Sequence, residues 1–304
     1  MRKSLLDLFN QSVVIRYTLP HDTLGGQIPC AKISTCGDQC LCQIADNEKI
    51  AGLIYNGVVE YAYNDYEIDI TKLNALQRRA LQSKLKFNPD APLANQLAYG
   101  FQGEVMLHLV LDYFYNAQKS IARGYLYCPL ENGETKGYDS YLMVEGDDST
   151  LYLLFGEAKF YIDGYKRGVK KVFENIDKAL SDDYLIRNFI AMDNQYEHLN
   201  PQSRLPAIID QWRDNPDIVN MAQEAVKYNM HLVYPILIVF DDKANSYDNL
   251  IFEVVNHINT NHGSVNVTLT VPHTLFFIFF PVGDSRAIKT QVIQWISQQQ
   301  PVMP

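Results

Sequence analysis

Two apolar runs near the end of the chain constrain its fold most. Residues 232–240 read LVYPILIVF and residues 274–280 read TLFFIFF. Each is far shorter than the roughly 20 residues a membrane-spanning helix needs. Both read as strands, and the β-branched content of the first makes it a buried one. Helical patterns surround them. Over 93–118, Leu97, Phe101, Val105, Leu109 and Tyr113 rise along one side, and further helices are expected near 165–180, 205–214, 216–229, 247–260 and 285–299. Extended runs at 138–145 and 151–160 flank the polar turn GDDS, and another strand is expected at 265–271. The alternation fits an α/β sandwich, a mixed sheet flanked by helices.

The N-terminal part reads differently. Short apolar runs at 12–17, 41–44, 50–55 and 58–63 are separated by Gly, Pro and Asp, which suggests a smaller strand-rich region. A helix is expected at 71–86 from Leu73, Leu76, Ala80, Leu81 and Leu85. The segment FNPDAP then breaks the pattern, and the boundary is placed there: an α+β region at 1–92, a catalytic-sized domain at 93–304. The net charge of −9 excludes a generally basic, histone-like coat but leaves room for a local basic groove. The start MRKSLLDLFNQ meets Asp7 too early for a signal-peptide core, so a soluble cytoplasmic protein with no membrane contact is expected. Cys30, Cys36, Cys40 and Cys42 lack paired C-x2-C knuckles, and Cys128 stands alone. Reduced thiols are the plainer reading, a metal or redox cluster the other.

The chemistry concentrates in GYDSYLMVEGDDSTLYLLFGEAKF, residues 137–160. Glu157 and Lys159 are two apart at the end of an apolar run, so on a strand they share a face. A turn centred on Asp148 sets Asp139 opposite Glu157, with Cβ atoms about 4.5–5.5 Å apart; a slip of one residue would turn Asp139 away. Two converging carboxylates repel unless a cation sits between them, and Mg²⁺ takes oxygen ligands completed by water. Such a metal can polarise a phosphoryl oxygen and activate water, while Lys159 positions that water or offsets charge developing at phosphorus. Glu104, on the long helix, offers a third carboxylate.

The pattern [D/E]-x-K occurs three times, so by itself it is an ordinary surface pair. Glu134 and Lys136 sit in a polar turn, and Asp241 and Lys243 follow no acidic hairpin. Only Glu157 and Lys159 have both a strand and an upstream Asp. Next to them Lys166, Arg167, Lys170 and Lys171 place like charges at i, i+4, which phosphates would offset and a solvated helix face would tolerate. His108, one turn after Glu104, reads as a packed histidine before a functional one. No G-x-x-x-x-G-K-[ST] loop, H-E-x-x-H or G-x-S-x-G elbow occurs, so ATP hydrolysis by the chain itself is not expected.

Gly103-Glu104 on a helix, Lys136-Gly137-Tyr138-Asp139, and Gly156-Glu157-Ala158-Lys159 after an apolar strand resemble the PD-(D/E)xK nuclease superfamily. More narrowly, FQGEVML, KGYD, LLFGEAKFY and the closing HTLFFIFFPV are similar to the HamA family, effector nucleases of Hachiman anti-phage defence. The resemblance implies a restriction-endonuclease-like fold and a metal-dependent DNA nuclease using Mg²⁺ or Mn²⁺. It also implies a partner that regulates it, the superfamily 2 helicase HamB, and residues 1–92, which carry none of the site residues, are the part expected to contact that partner. By matched position, Glu104 is the helix acid, Asp139 and Glu157 are metal ligands with Glu104 beside them, and Lys159 is the catalytic lysine. Where the superfamily's name has Pro, this chain has Tyr138. Two other readings stand beside the nuclease: the same fold as a catalytically silent platform for DNA or a partner, and a sensor built on the N-terminal cysteines. Cleavage with Mg²⁺ against chelator separates the first two, and metal content decides the third.

Overall fold

The computed structural model describes residues 1–20, 23–24, 37–128, 133–134, 137–162, 164–214, 220–242, 246–262, 265 and 267–304. The chain begins with α1 (Lys3–Asn10), β1 (Val13–Thr18), β2 (Gln39–Gln43), α2 (Asn47–Ala62), α3 (Leu73–Ser83), α4 (Leu93–Ala98) and α5 (Phe101–Tyr115). Next come β3 (Gln118–Lys119), a small ribbon of β4 (Tyr127–Cys128) and β5 (Gly133–Glu134), then β6 (Leu142–Glu145), β7 (Leu151–Leu154) and β8 (Glu157–Phe160). Five helices follow: α6 (Tyr165–Phe173), α7 (Ile176–Ala179), α8 (Asp182–Asp193), α9 (Leu205–Asp214) and α10 (Met221–Tyr228). The end is β9 (Met230–Asp241), α11 (Tyr247–Asn261), β10 (His273–Val282) and α12 (Ser285–Gln298).

β9 and β10 lie parallel at the centre, from Leu232 beside His273 to Asp241 beside Val282. Their residues alternate between two cores. Tyr234, Ile236, Ile238, Phe277 and Phe279 face one, Leu237, Val239, Phe276, Ile278 and Phe280 the other. Successive strand side chains point to opposite faces, so a strand covered on both sides needs an unbroken apolar run. Helices α6 to α11 cover the first core, and α1, α2, α3, α5 and α12 cover the second. The sheet order is β1-β2-β10-β9-β7-β6-β3, with β8 also pairing β9. β2, β7 and β8 run parallel to the central pair, while β1, β6 and β3 add antiparallel pairs. This is the mixed, helix-flanked sheet expected from the sequence.

The N-terminal part departs from its strand-rich reading. The runs at 50–55 and 58–63 are one helix, α2, started by Asp46, whose carboxylate accepts the Lys49 N–H at 2.9 Å. Every residue of α2 from Ile50 to Ala62 is buried. A helix buried all round shows no polar stripe, so its period is invisible in the sequence. Gly57 permits the close approach of α5, because a Cβ there would stand 2.8 Å from Leu109 Cδ1. β2 joins the main sheet beside β10, Asp38 Oδ1 accepts the Phe277 N–H at 2.8 Å, and α2 shares its core with α5 and α12. The core thus runs across the boundary expected at 87–92.

Other differences are local. The helical pattern over 93–118 breaks at Tyr99 and Gly100 into α4 and α5, and that over 165–180 breaks at Glu174 and Asn175 into α6 and α7. α8 was not expected, although Ser181 followed by Asp182 and Asp183 is a helix-start signal, and Ser181 Oγ accepts the Tyr184 N–H at 3.3 Å. Of the strand expected at 265–271, a single bridge, Thr268 to Ser181, is present among the described residues. β1 carries a register shift between Ile15 and Tyr17. Cys30 and Cys36 lie outside the described residues; Cys40 and Cys42 are free thiols, and burial pushes the Cys40 thiol up to about 12. No described helix is long and apolar enough to cross a membrane.

Candidate active site

β9 runs unbroken past two short strands. Its first half pairs with β7, from Leu151 beside Met230 to Leu154 beside Val233. Its second half pairs with β8, from Glu157 beside Ile236 to Phe160 beside Val239. Pro235 sits between the two ladders and has no N–H to give. Its carbonyl and ring crowd Gly156, where any Cβ would collide with them. Pro235 and Gly156 together make the break that lifts Glu157 and Lys159 into their own short strand.

β6 and β7 pair in the register expected from a turn at Asp148, Leu142 beside Leu154 through Glu145 beside Leu151. The strand expected from 138 begins only at Leu142. Beyond it the backbone shifts by one residue, the Asp139 N–H going to the Gly156 carbonyl at 2.8 Å. Ser140 Oγ bridges the break, donating to the Leu154 carbonyl at 3.0 Å and accepting the Gly156 N–H at 2.8 Å. In a regular strand such a slip would reverse Asp139. Asp139 is instead in a loop, and its Oδ2 accepts the Ala158 N–H at 2.8 Å. The carboxylate occupies a place on the edge of β8 that a neighbouring strand would otherwise fill.

Residues other than the charged trio hold this loop. Tyr138, standing where the superfamily pattern has Pro, is buried against Phe155, Tyr184 and Tyr234 and donates to the Ala179 carbonyl at 2.8 Å. The Tyr141 hydroxyl donates to Asn188 Oδ1 on the unanticipated α8. A Cβ at Gly137 would collide with both of those groups. Tyr234, on β9, donates its hydroxyl to Glu157 Oε2 at 2.8 Å. The aromatic richness of GYDSY was the one signal that could have pointed to these anchors.

The trio's electrostatics follow from burial. Glu157 Oε1 lies 2.5 Å from Lys159 Nζ, with both side chains less than a fifth exposed. Burial raises the Glu157 pKa above the usual carboxylate range, opposed by Lys159 and reinforced by Asp139. Burial pulls the Lys159 ammonium down, but Asp139 and Glu157 together outweigh it and hold its pKa above the ordinary value. Helix α6 packs on this face, with Gly168 against Ile238 and the Lys159 stem. A pocket of about 250 Å³ opens beside the pair, lined by Asp139, Glu157, Asn175, Lys178, Tyr184 and Tyr234 among others.

Glu104 comes from the other layer. α5 lies against the reverse face of β8, Gly103 meeting Ala158 and Phe160, and buried Glu104 accepts the Tyr61 hydroxyl. Tyr61, His108 and Asp139 line a common cavity of about 10 Å³, roughly the room one water needs. His108 is buried, its Nε2 without a hydrogen-bond partner among the described residues, and burial first, then Lys119, lowers its pKa. Among the described residues no group of three or more His, Cys, Asp or Glu is arranged to hold a metal. The structure therefore gathers Asp139, Glu157 and Lys159 and does not draw Glu104 into a three-acid cage with them.

Of the basic helix residues, Lys166 and Arg167 are exposed in the first turn of α6. Lys171 and Lys170 share Glu174, at 2.5 and 3.9 Å, so a phosphate would have to compete with that carboxylate. Asp241, from the rejected match, accepts the Ser285 N–H at 2.7 Å and has a structural task; Lys136 and Lys243 lie outside the described residues.

The donor set suits Mg²⁺ or Mn²⁺. Among the described residues Asp139 Oδ1 has no hydrogen-bond partner while Oδ2 is fixed, and Glu157 adds hard oxygens at the same end of β8. Mg²⁺ characteristically takes one or two carboxylates and keeps several waters or substrate oxygens, so two acids suffice. The HamA family model matches residues 27–296. No curated protein and no solved structure matches.

Proposed function

We propose, from the premise that the chain belongs to the HamA family of Hachiman defence-associated effectors, that it hydrolyses DNA phosphodiester bonds with a divalent metal. One observation carries the reading: the Asp139 carboxylate is pinned by the Ala158 N–H on the same short strand that presents the close Glu157–Lys159 pair. Asp139 and Glu157 would hold Mg²⁺ or Mn²⁺, which supplies a polarised phosphoryl oxygen and a water of lowered pKa. Tyr234 fixes Glu157 by its hydroxyl, leaving Lys159 to orient the attacking water or to offset charge at phosphorus. Glu104 acts through Tyr61 and the small cavity shared with Asp139, a positioning role.

The same reading includes a HamB-like superfamily 2 helicase and a cytoplasmic setting. A chain of net charge −9 with no ATP-binding loop is poorly suited to recruit DNA or couple cutting to a signal alone. Plasmid cleavage with Mg²⁺ or Mn²⁺, against chelator and with the neighbouring gene product present or absent, tests both parts. No cutting under any of these conditions would leave the catalytically silent platform as the surviving reading.

A further inference from the structure

Past the end of β8 the chain builds a second pocket, of about 240 Å³, between α4, the start of α12 and the first turn of α6. Its polar lining is Tyr161, Arg167, Arg286 and Lys289, and no described lining residue is acidic. Lys289 is almost fully buried, and its three donors go to the carbonyls of Leu97, Tyr99 and Phe160 at 2.8, 3.3 and 3.2 Å. Burial pulls its pKa to about 8, with no described carboxylate to offset the charge. Arg167 lies over the Tyr161 ring at 5.1 Å, and neither Arg167 nor Arg286 has an ion pair with a described carboxylate.

Arg167 stands in the first turn of α6, a helix start with no side-chain cap and no acidic residue, where the dipole is positive and a cation is disfavoured. The start of α12 beside Arg286 is already capped, Asp284 accepting the Ala287 N–H and Asp241 the Ser285 N–H. An anion between the two arginines offsets both charges and the bare start of α6. Guanidinium groups match phosphate oxygens geometrically, and the α6 N-terminus adds a backbone dipole of the same sign. We propose that this pocket is a phosphate-binding site that holds the DNA backbone beside the scissile bond. It rests on the nuclease reading. Tyr161 follows Lys159 by two residues, about 6.6 Å at some 3.3 Å per strand residue. The pocket therefore begins at the same end of β8 as the catalytic lysine, on the scale that separates neighbouring phosphates of one strand.

The experiment is fluorescence anisotropy of a short labelled duplex in chelator, titrated with salt, for wild type, Arg286→Ala, Arg167→Ala and the double variant. The slope of log affinity against log salt should flatten by about 0.9 for each arginine removed. Arg286→Lys should keep most of the slope, and Arg213→Ala on α9, whose guanidinium already pairs with Asp193, should match wild type. A double variant with wild-type slope and affinity overturns the pocket, and its cation cluster would then suit an acidic protein segment. Cleavage in Mg²⁺ separates the two readings. A cutting wild type with an unaltered double variant removes the pocket alone, whereas a flattened slope without cutting under any metal removes the nuclease alone. A wild type that binds no DNA at any salt overturns both.

Discussion

Asp38 offers the sharpest physical test of how the N-terminal part joins the rest. Its carboxyl is buried beside the central sheet and accepts the Phe277 N–H, and burial lifts its pKa from 3.8 to about 7 against that one stabilising bond. The folded state therefore holds the proton more tightly than the unfolded chain. Its contribution is most favourable below about pH 4 and is lost as pH rises toward 7, the reverse of a salt-bridged carboxylate. Some 3 units at 1.36 kcal/mol each put a ceiling of about 4 kcal/mol on the loss. Asp38→Asn keeps an oxygen for Phe277 and cannot ionise. Any cost of its extra N–H donors is constant with pH, so the readout is the change in the gap. Urea unfolding should show the variant gaining about 2 to 3 kcal/mol on wild type between pH 5 and pH 8. Asp38→Ala, which orphans the Phe277 N–H, should lose about 1–3 kcal/mol instead. A gap between Asn variant and wild type that stays flat across that pH range would refute the reasoning.

Glu157→Ala and Lys159→Ala should each abolish DNA cleavage with circular dichroism unchanged; wild-type cutting by either sinks the site. Of the two, Lys159→Ala should melt lower, because it leaves two carboxylates facing one another, while Glu157→Ala leaves Lys159 with Asp139. Mn²⁺ at ten times its Kd should stabilise the wild type by about 1.4 kcal/mol, with no such gain in Glu157→Ala, read by thermal melting without any substrate. Gly156→Ala should unfold at lower denaturant and lose activity, since the added Cβ meets the Pro235 backbone; a stable, active alanine variant would mean the strand break has slack.

How much of this was legible varies by element. β9, β10, α11 and α12 were readable because apolar runs and helical stripes are local patterns. α2 was not, since a helix buried all round has no stripe to see. The Glu157–Lys159 pair followed from strand parity alone, whereas the placement of Asp139 depended on a non-local event. Pro235, 96 residues downstream of Asp139, interrupts the ladder and lets the loop shift by one residue. The turn register was right, yet Asp139 reaches its place by a loop and a bond to Ala158. Nothing near GYDS in the sequence names Asn188, Ala179 or Tyr234 as the groups that hold it. Lys170 and Lys171 read as like charges at i, i+4, yet Glu174, three and four residues on, pairs with both.

The bulge in β1 has a bearing on what the sheet can become. An exposed strand edge is a template on which a second chain can add by backbone pairing. Here one flank ends in β1, whose pairing is interrupted between Ile15 and Tyr17 while Arg16 reaches out to Asp248. The other flank ends in β3, only two residues long, with Lys119 held by Asp65. On the edge of β8 the Ala158 N–H is already taken by a charge, Asp139. Kinks, brevity and charge leave little continuous backbone for an incoming strand to pair with, so a chain with so apolar a centre is guarded against edge-to-edge aggregation. Asp139 serves two ends at once: the carboxylate that lines the pocket also blocks a β-edge.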